Sequence, residues 1–522
     1  MIVRTVIMAV MCIYAAFLTA RHNMHMFQLN GYKNDEHINW IKKHLRQQWL
    51  LYFGFVLGVL RLFLPFLFLD ILMYLTLYMV ILVYRALHRL NSKKKLVYTA
   101  RVKRMFATDI VLGAACITLC AVFSGITKLS GMFMLIVTSQ WFAVIITNII
   151  NHPFESGLSR HYINDAKRIL AEASDHLTVI GVTGSYGKTS MKFFLKTLLS
   201  DRFNVLVTPG NFNTPLGVTI TVRNHLKPSH EIFICEMGAR RVGEIREICE
   251  IAKPSMGIIT SIGPQHLETF FTMENIQRTK FELADAVTGK GAVFLNGDNE
   301  YIREKAGDYP DHVFFTTTDG TDGYRASDIA VSNMGTDFTV TAPDGETEHF
   351  QMRLIGAHNV INVTGAIAVA HSLGISLKDL RVPVRRLTPV EHRMQLIERG
   401  NVTIIDDAYN SNPVGSKAAV ETLALFEGVR ILITPGMVEL GDSEDALNEK
   451  FGGYAADCCD YILLVGRKHT EPIYKGATDK GFPADRCKAF ETLEEAMVHA
   501  YSIKDPGHKY ILLENDLPDN YK

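Results

Sequence analysis

The sequence lacks a charge excess of either sign. Lys plus Arg and Asp plus Glu both number 54, for a formal net charge of zero. Bulk nucleic-acid binding normally needs a basic surplus, so no nucleic-acid partner is expected. Paired cysteine motifs are lacking too. The eight cysteines (Cys12, Cys116, Cys120, Cys235, Cys249, Cys458, Cys459 and Cys487) include no CxxC. That removes support for a zinc ribbon or a dithiol redox centre, and reduced thiols fit a cytoplasmic catalytic part. Internal repeats and low-complexity tracts are missing as well, which argues against a solenoid or a disordered chain.

What is present in excess is apolar sequence, 48% of 522 residues, and it is concentrated at the front. A bilayer-crossing helix needs about 20 apolar residues. Residues 1–150 hold five candidate spans: Ile2–Ala20, Trp49–Leu69, Ile71–His88, Ala107–Thr127 and Met132–Ile150. The first also has the position of a signal peptide, but further spans follow and no small-residue cleavage site stands out, so a retained span is expected. The loop Arg85–Arg104 carries Arg85, Arg89, Lys93, Lys94, Lys95, Arg101, Lys103 and Arg104, and the loop after the first span is basic as well. Lys/Arg-rich loops face the cytoplasm. The chain after Asn151 is therefore expected on the cytoplasmic side of a cell membrane. Arg61 falls inside the second span, where a long cationic side chain is expected to snorkel to the interface.

Residues 151–176 read as a polar linker with a helix over Ser159–Ser174. From Leu177 short β-branched runs alternate with amphipathic stretches. The runs are Thr178–Val182, Val205–Val207, Ile232–Cys235, Gly257–Thr260 and Ala292–Leu295, with a helix predicted over Ser190–Leu199. This alternation predicts a parallel sheet covered by helices. Asp308–Arg353 reads as turn-rich β structure. A second α/β unit begins near Leu387, with strands Thr403–Ile405, Ile431–Thr434 and Tyr461–Val465.

The first strand runs into Thr183-Gly184-Ser185-Tyr186-Gly187-Lys188-Thr189-Ser190. Glycines let backbone N–H groups approach phosphate oxygens at a helix N-terminus. Lys188 would reach the terminal phosphates, and Thr189 would offer a hydroxyl to Mg²⁺. Val182 stands where the longer GxxxxGK[ST] pattern has its first glycine, so the match is to the shorter TGxxGKT form. Glu236 and His266 lie just past successive strands, where such sheets bind ligands, and Lys280 and Glu282 follow on a helix. Taken singly, each has a structural alternative: a helix-start carboxylate, a loop histidine or a solvated lysine.

Six motifs then occur in order: Thr183–Ser190, Gly210-Asn-Phe-Asn-Thr-Pro-Leu-Gly217, Glu236-Met-Gly-Ala239, Gly356-Ala-His-Asn-Val-Ile-Asn362, His392-Arg393 and Asp406-Asp-Ala-Tyr-Asn-Ser-Asn-Pro413. Over residues 177–515 the series resembles the Mur ligase family, most of all its MurF-type branch. The apolar runs give an α-helical membrane block (1–150) and the polar stretch a linker (151–176); the resemblance implies that a central P-loop ATPase domain (177–385) and a Rossmann-like C-terminal domain (386–522) follow. It implies an ATP-dependent ligase of peptidoglycan precursor synthesis, which couples an amino acid or dipeptide to a muramyl-peptide carboxylate through an acyl-phosphate. ATP would be held by Gly184 to Ser190, Asn362, Arg393 and Asp407. Mg²⁺ would be held by Thr189, Glu236, His266 and a carbamylated Lys280. The substrates would meet Asn211, Asn213, Thr214, Tyr409, Asn410 and Asn412, with Lys188, His266 and Lys280 in catalytic roles.

The sequence departs from that branch at Asn213-Thr214-Pro215, at His392, in its Glu514–Asp519 ending and in carrying spans where the branch has its UDP-sugar-binding domain. Those changes fall near substrate surfaces, so the resemblance supports the chemistry further than it supports the substrate. A lipid-linked acceptor, a partnership with other wall-synthesis proteins and a poly-γ-glutamate-type synthetase stay open. A transport ATPase and a non-catalytic nucleotide-binding scaffold remain as other classes.

Overall fold

A computed structural model of the chain describes residues 2–64, 66–89, 95–125, 128–408 and 411–516. Two compact units emerge, one built from Met1–Arg160 and the other from His161–Leu517.

The first unit is helical, with helices over Ile2–Leu29, Asn34–Lys43, Trp49–Phe63, Leu67–Arg89, Ala100–Ser124 and Leu129–Thr138 and the start of Gln140–Glu172. Among the described residues three helices are long and apolar enough to cross a membrane: Val6–Leu29, Leu67–Leu87 and Ala100–Ser124. The pair Leu129–Thr138 and Gln140–Glu172, bent by 77°, makes a fourth if it is one broken span. This differs from the five expected. Trp49–Phe63 has 15 residues, a rise of about 22 Å against a hydrocarbon core of about 30 Å. Its chain leaves the helix at Leu64, one residue before Pro65, the position where the pyrrolidine ring disfavours helix.

Arg61 also differs from expectation. Instead of reaching outward alone, its Nε donates to Asp70 Oδ1 at 2.7 Å, and Ser130 donates to the same oxygen at 3.1 Å. A cation with little exposure is costly without a partner, and here the partner lies nine residues on in sequence. The Trp49–Phe63 and Leu129–Thr138 helices cross through glycines. A Cβ on Gly131 would lie 2.8 Å from the Gly58 carbonyl, and one on Gly58 would lie 3.1 Å from the Gly131 carbonyl. Within the basic loop, Lys93 and Lys94 lie outside the described residues.

The second unit holds two sheets. The first has nine strands: β1 (Thr178–Thr183), β2 (Val205–Val207), β3 (Ile232–Glu236), β4 (Met256–Ile259), β5 (Val293–Asn296), β6 (His312–Thr316), β7 (Gly323–Ser332), β8 (Gly335–Thr341) and β9 (Thr347–Met352). Their order is 2-3-1-4-5-6-7-8-9. β1 to β7 pair in parallel, and β7, β8 and β9 form an antiparallel meander. The parallel strands read as unbroken apolar runs because helices cover both faces. Two cores result. One contains Ile180, Val182, Phe194, Leu195, Ile234 and Ile367. The other contains Val179, Phe233, Cys235, Ile248, Phe281 and Leu283. The residues of β1 and β3 alternate between them, as a period of two requires.

The second sheet has six strands: β10 (Gln395–Arg399), β11 (Val402–Asp407), β12 (Val429–Thr434), β13 (Tyr461–Val465), β14 (Cys487–Phe490) and β15 (Lys509–Glu514). Their order is 10-11-15-12-13-14, parallel except for β10. The α/β class expected for both halves therefore holds. The expected linker helix Ser159–Ser174 is part of one 33-residue helix, Gln140–Glu172, which contains Pro153.

Candidate functional site

The site begins where β1 ends. Gly184 and Gly187 take positive φ values of 152° and 80°. Gly187 is the left-handed residue that opens the Lys188–Leu199 helix. No side chain fits there, since a Cβ would meet Asn362 Oδ1 at 2.9 Å. The loop is pinned from β4's side: Ser185 N donates to Ser261 O at 2.7 Å, Tyr186 N to Ser261 Oγ at 3.0 Å and Tyr186 OH to Pro264 O at 2.6 Å. Lys188 Nζ donates to the Gly184 and Ser185 carbonyls at 2.7 and 2.9 Å. Burial, with Arg393 nearby, lowers its pKa to about 8 against the pull of Glu236.

Glu236 ends β3 and is 1% exposed. Thr189 Oγ1 and Asn213 Nδ2 each donate to its Oε1 at 3.1 Å. Lys192, fully buried, pairs with Oε2 at 2.8 Å and donates to the Gly210 carbonyl at 2.7 Å. A carboxylate this deep needs a cation, and Lys192 supplies one. Sequence reading passed over Lys192. On an amphipathic helix it looks like a solvated position, and only β3 and the Gly210 loop reveal the partner. The donor set of Thr189 hydroxyl and Glu236 carboxylate suits a hard cation of the Mg²⁺ type, which takes oxygen ligands.

Lys280 sits on the Met273–Val287 helix, 2% exposed, with Nζ 5.8 Å from the centroid of the Phe270 ring. Burial first and the Lys188 charge second hold its pKa well below the ordinary lysine value. A neutral amine is the form able to capture CO₂ as a carbamate. Glu282, two residues on, accepts from Gly243 N and Arg246 N and so caps the Glu244–Ala252 helix. His266 takes φ 54°, and its Nδ1 meets the Glu439 carboxylate. Burial lowers its pKa and Glu439 opposes the shift. Glu439 belongs to the six-stranded half, so sequence proximity gave no sign of it.

The two halves enclose a cavity of about 320 Å³. Tyr186, Gly187, Ser190 and Asn362 line it from the first half, and Arg393, Asp407 and Asn412 from the second. His358, Ser411 and Glu514 line it too. Asn362 Nδ2 donates to His358 O at 3.2 Å. Burial lowers the His358 pKa to about 4. Asp407 ends β11, accepts from Met394 N at 3.3 Å and has its pKa raised by burial to about 6, against the pull of Arg393. Glu514, opposite it at the end of β15, is pushed up to about 8 by burial. Thr434 Oγ1 donates to its Oε2 at 3.0 Å, and Ser411 donates to its Oε1.

Other expected residues have structural tasks. The Thr214 hydroxyl caps the Pro215–His225 helix, accepting from Gly217 N at 3.3 Å. Asn412 Oδ1 caps the Pro413–Leu423 helix, accepting from Gly415 N at 2.8 Å. Asn211 is exposed and its carbonyl accepts from Asn213 N. Tyr409 and Asn410 lie outside the described residues.

Comparison with known proteins adds an independent line. Residues 182–370 match the Mur ligase middle domain, and residues 392–513 match the Mur ligase, glutamate ligase domain. The UDP-N-acetylmuramoyl-tripeptide–D-alanyl-D-alanine ligase of Mycobacterium tuberculosis is 36% identical, over 58% of this chain and 62% of that protein. The chain thus spans less than two thirds of that relative's length. The Mycobacterium leprae protein of the same name is 32% identical over 60% of this chain and 67% of its own. Among solved structures, the MurF ligase of Thermotoga maritima in complex with ADP superposes with a TM-score of 0.61 at 25% identity, covering 69% of this chain and 80% of that one.

Proposed function

We propose that this chain, which belongs to the Mur ligase family, is an ATP-dependent amide ligase of cell-wall precursor synthesis. One observation carries the reading. The buried pair Glu236 and Lys192 and the half-buried Thr189 and Asn213 cluster at a phosphate-binding loop, with Lys188 alongside. Such a cluster can grip a nucleotide triphosphate and its counter-ion at once.

In this reading the Gly184–Ser190 loop cradles the phosphates, and Lys188 faces the charge that builds on the γ-phosphoryl oxygens. A substrate carboxylate oxygen attacks the γ-phosphorus and the bond to ADP breaks. The amine nitrogen then attacks the acyl carbon, the bond to phosphate breaks and the amine gives up a proton. Mg²⁺, when bound, would offset phosphoryl charge. Thr189, Glu236, His266 and carbamylated Lys280 are the residues to hold it. Asn362, Arg393 and Asp407 would hold the adenosine end, and the family resemblance assigns Asn211, Asn213, Thr214, Tyr409, Asn410 and Asn412 to the carboxylate and amine substrates.

The relatives' name supplies the substrate pair, a muramyl tripeptide and D-alanyl-D-alanine. A lipid-linked muramyl acceptor is the second reading. It is favoured because residues 1–181 precede the matched domains and hold three helices long enough to cross a membrane. With the basic loops, this supports a multi-pass cell-membrane protein whose ligase half is cytoplasmic. The test is phosphate release by the detergent-purified protein with ATP and Mg²⁺, with and without UDP-muramyl tripeptide and D-Ala-D-Ala. Release that needs both, with a new amide by mass spectrometry, is expected. ATP binding with no release from that pair moves the acceptor to the lipid-linked class.

A further inference from the structure

We propose that Glu439 is a positioning residue, brought from the six-stranded half to orient His266 toward a cation held by the nine-stranded half. The inference rests on the ligase reading for the existence of that cation. It adds a residue that no motif of the sequence singles out.

The contact joins two loops of opposite halves. Glu439 follows β12, and its carboxylate meets His266 Nδ1 and Arg240 Nη2, the latter at 3.4 Å. His266 and Glu439 are only 17% and 19% exposed. Both are non-glycine residues with positive φ, 54° and 65°. Such backbone is strained for a residue with a side chain and persists where its surroundings over-determine it. The surroundings here do so. Asn448, buried, accepts from Met437 N at 2.9 Å and donates to Met437 O at 3.0 Å. Asn515 donates to Gly436 O at 2.6 Å, and Glu444 accepts from Leu440 N at 3.4 Å. On the other side, Tyr186 of the phosphate loop holds Pro264, two residues before His266, and Asn299 holds Ile262 at 2.9 Å. Two pre-set loops meet through one ring nitrogen.

The chemistry follows from the ring. A carboxylate accepting Nδ1–H fixes the tautomer with the Nε2 lone pair facing away, and this is how histidines are prepared for metal ions. Here the carboxylate comes from the half that also supplies Arg393 and Asp407 to the nucleotide cavity. A cation site thus becomes complete only when both halves are in place.

The test uses the full chain in detergent with ADP. Mn²⁺ serves as the probe, and its free concentration is read by electron paramagnetic resonance. Glu439→Ala is expected to weaken Mn²⁺ binding at the ADP site about 10–100-fold, the usual effect of losing an outer-shell partner, with metal-free ADP affinity unchanged. Glu439→Gln keeps an acceptor oxygen and is expected to recover most of the loss. In a His266→Ala background, Glu439→Ala should add nothing, because the cycle closes through the ring. Wild-type Mn²⁺ affinity in Glu439→Ala overturns the proposal. So does a parallel loss of metal-free ADP binding, a Glu439→Gln protein as weak as Glu439→Ala, or additive losses in the double variant. Failure of the ligase reading shows elsewhere: the wild-type protein would bind Mn²⁺ and ADP and form no amide with any acceptor.

Discussion

The two sheets of the second unit present opposite chemistry at their carboxyl ends. Around β1, β3 and β4 cations are prominent: Lys192 pairs with the buried Glu236, Lys188 is acted on by the same carboxylate, and Lys280 is buried on the neighbouring helix beside the Lys188 charge. At the ends of β11 and β15 the order reverses: Asp406, Asp407 and Glu514 crowd together, with Arg393 acting on Asp407. The pKa directions record the same split, with Lys188 and Lys280 lowered on one side and Asp407 and Glu514 raised on the other. A parallel sheet directs its strand ends to one rim whatever the residues. The residues decide whether that rim grips phosphate, which needs cations, or meets hydroxyls and amines, which need acceptors.

Breaking the cationic side should have the largest effect. Lys280→Ala is expected to reduce ligation to background in a product assay, with partial rescue by added short carboxylates that replace the carbamate oxygens. Undiminished activity would remove Lys280 from the cation site. Next comes Lys192→Ala, which leaves Glu236 buried without its ion-pair partner. A loss of about 3–5 kcal/mol in unfolding stability is expected, seen as a lower melting temperature, and an unchanged melt would mean that water or another cation fills the place.

The acidic side should respond more mildly. Asp407→Asn is expected to raise KM for ATP about tenfold, near 1.4 kcal/mol, with kcat nearly kept. A fall in kcat alone would assign Asp407 to the reacting end instead. The smallest effect concerns Glu514. Its folded pKa of about 8 lies above the ordinary glutamate value of 4.5. The folded state therefore binds the extra proton, and the stability this gives is complete below pH 4.5 and lost as pH rises through 8. Melting temperatures of wild type and Glu514→Gln should converge near pH 5 and separate toward pH 8, with the glutamine form higher. Parallel curves would show that Glu514 ionises freely.

The cationic rim was the more legible in sequence. Its phosphate loop is a local pattern, with strand, glycines, lysine and helix within thirteen residues of each other, so spacing alone points to phosphate. Glu236 and His266 were placed by following strand ends. Lys192 and Glu439 were not legible, because their partners lie 44 and 173 residues away and their own neighbourhoods look solvated. β15 escaped as well. Its run Tyr510-Ile-Leu-Leu513 sits near the end of the chain, yet it occupies the middle of the second sheet. Sequence order carries no sign that the last strand inserts between β11 and β12. In the helical unit, the fifteen-residue run Trp49–Phe63, apolar but for Arg61, looked long enough when joined to Leu64–Leu69, but the helix ends at Phe63.

The glycine crossing in that helical unit sets a limit on how its sequence can drift. Most of its outward apolar side chains can be exchanged for others of similar size, since they are exposed. Gly58 and Gly131 have no such latitude. One added methyl at either position becomes a wedge between two backbones, and overpacking of this kind costs about 1–3 kcal/mol. Related chains should therefore vary freely over the apolar surface and stay fixed at two positions that carry no side chain at all.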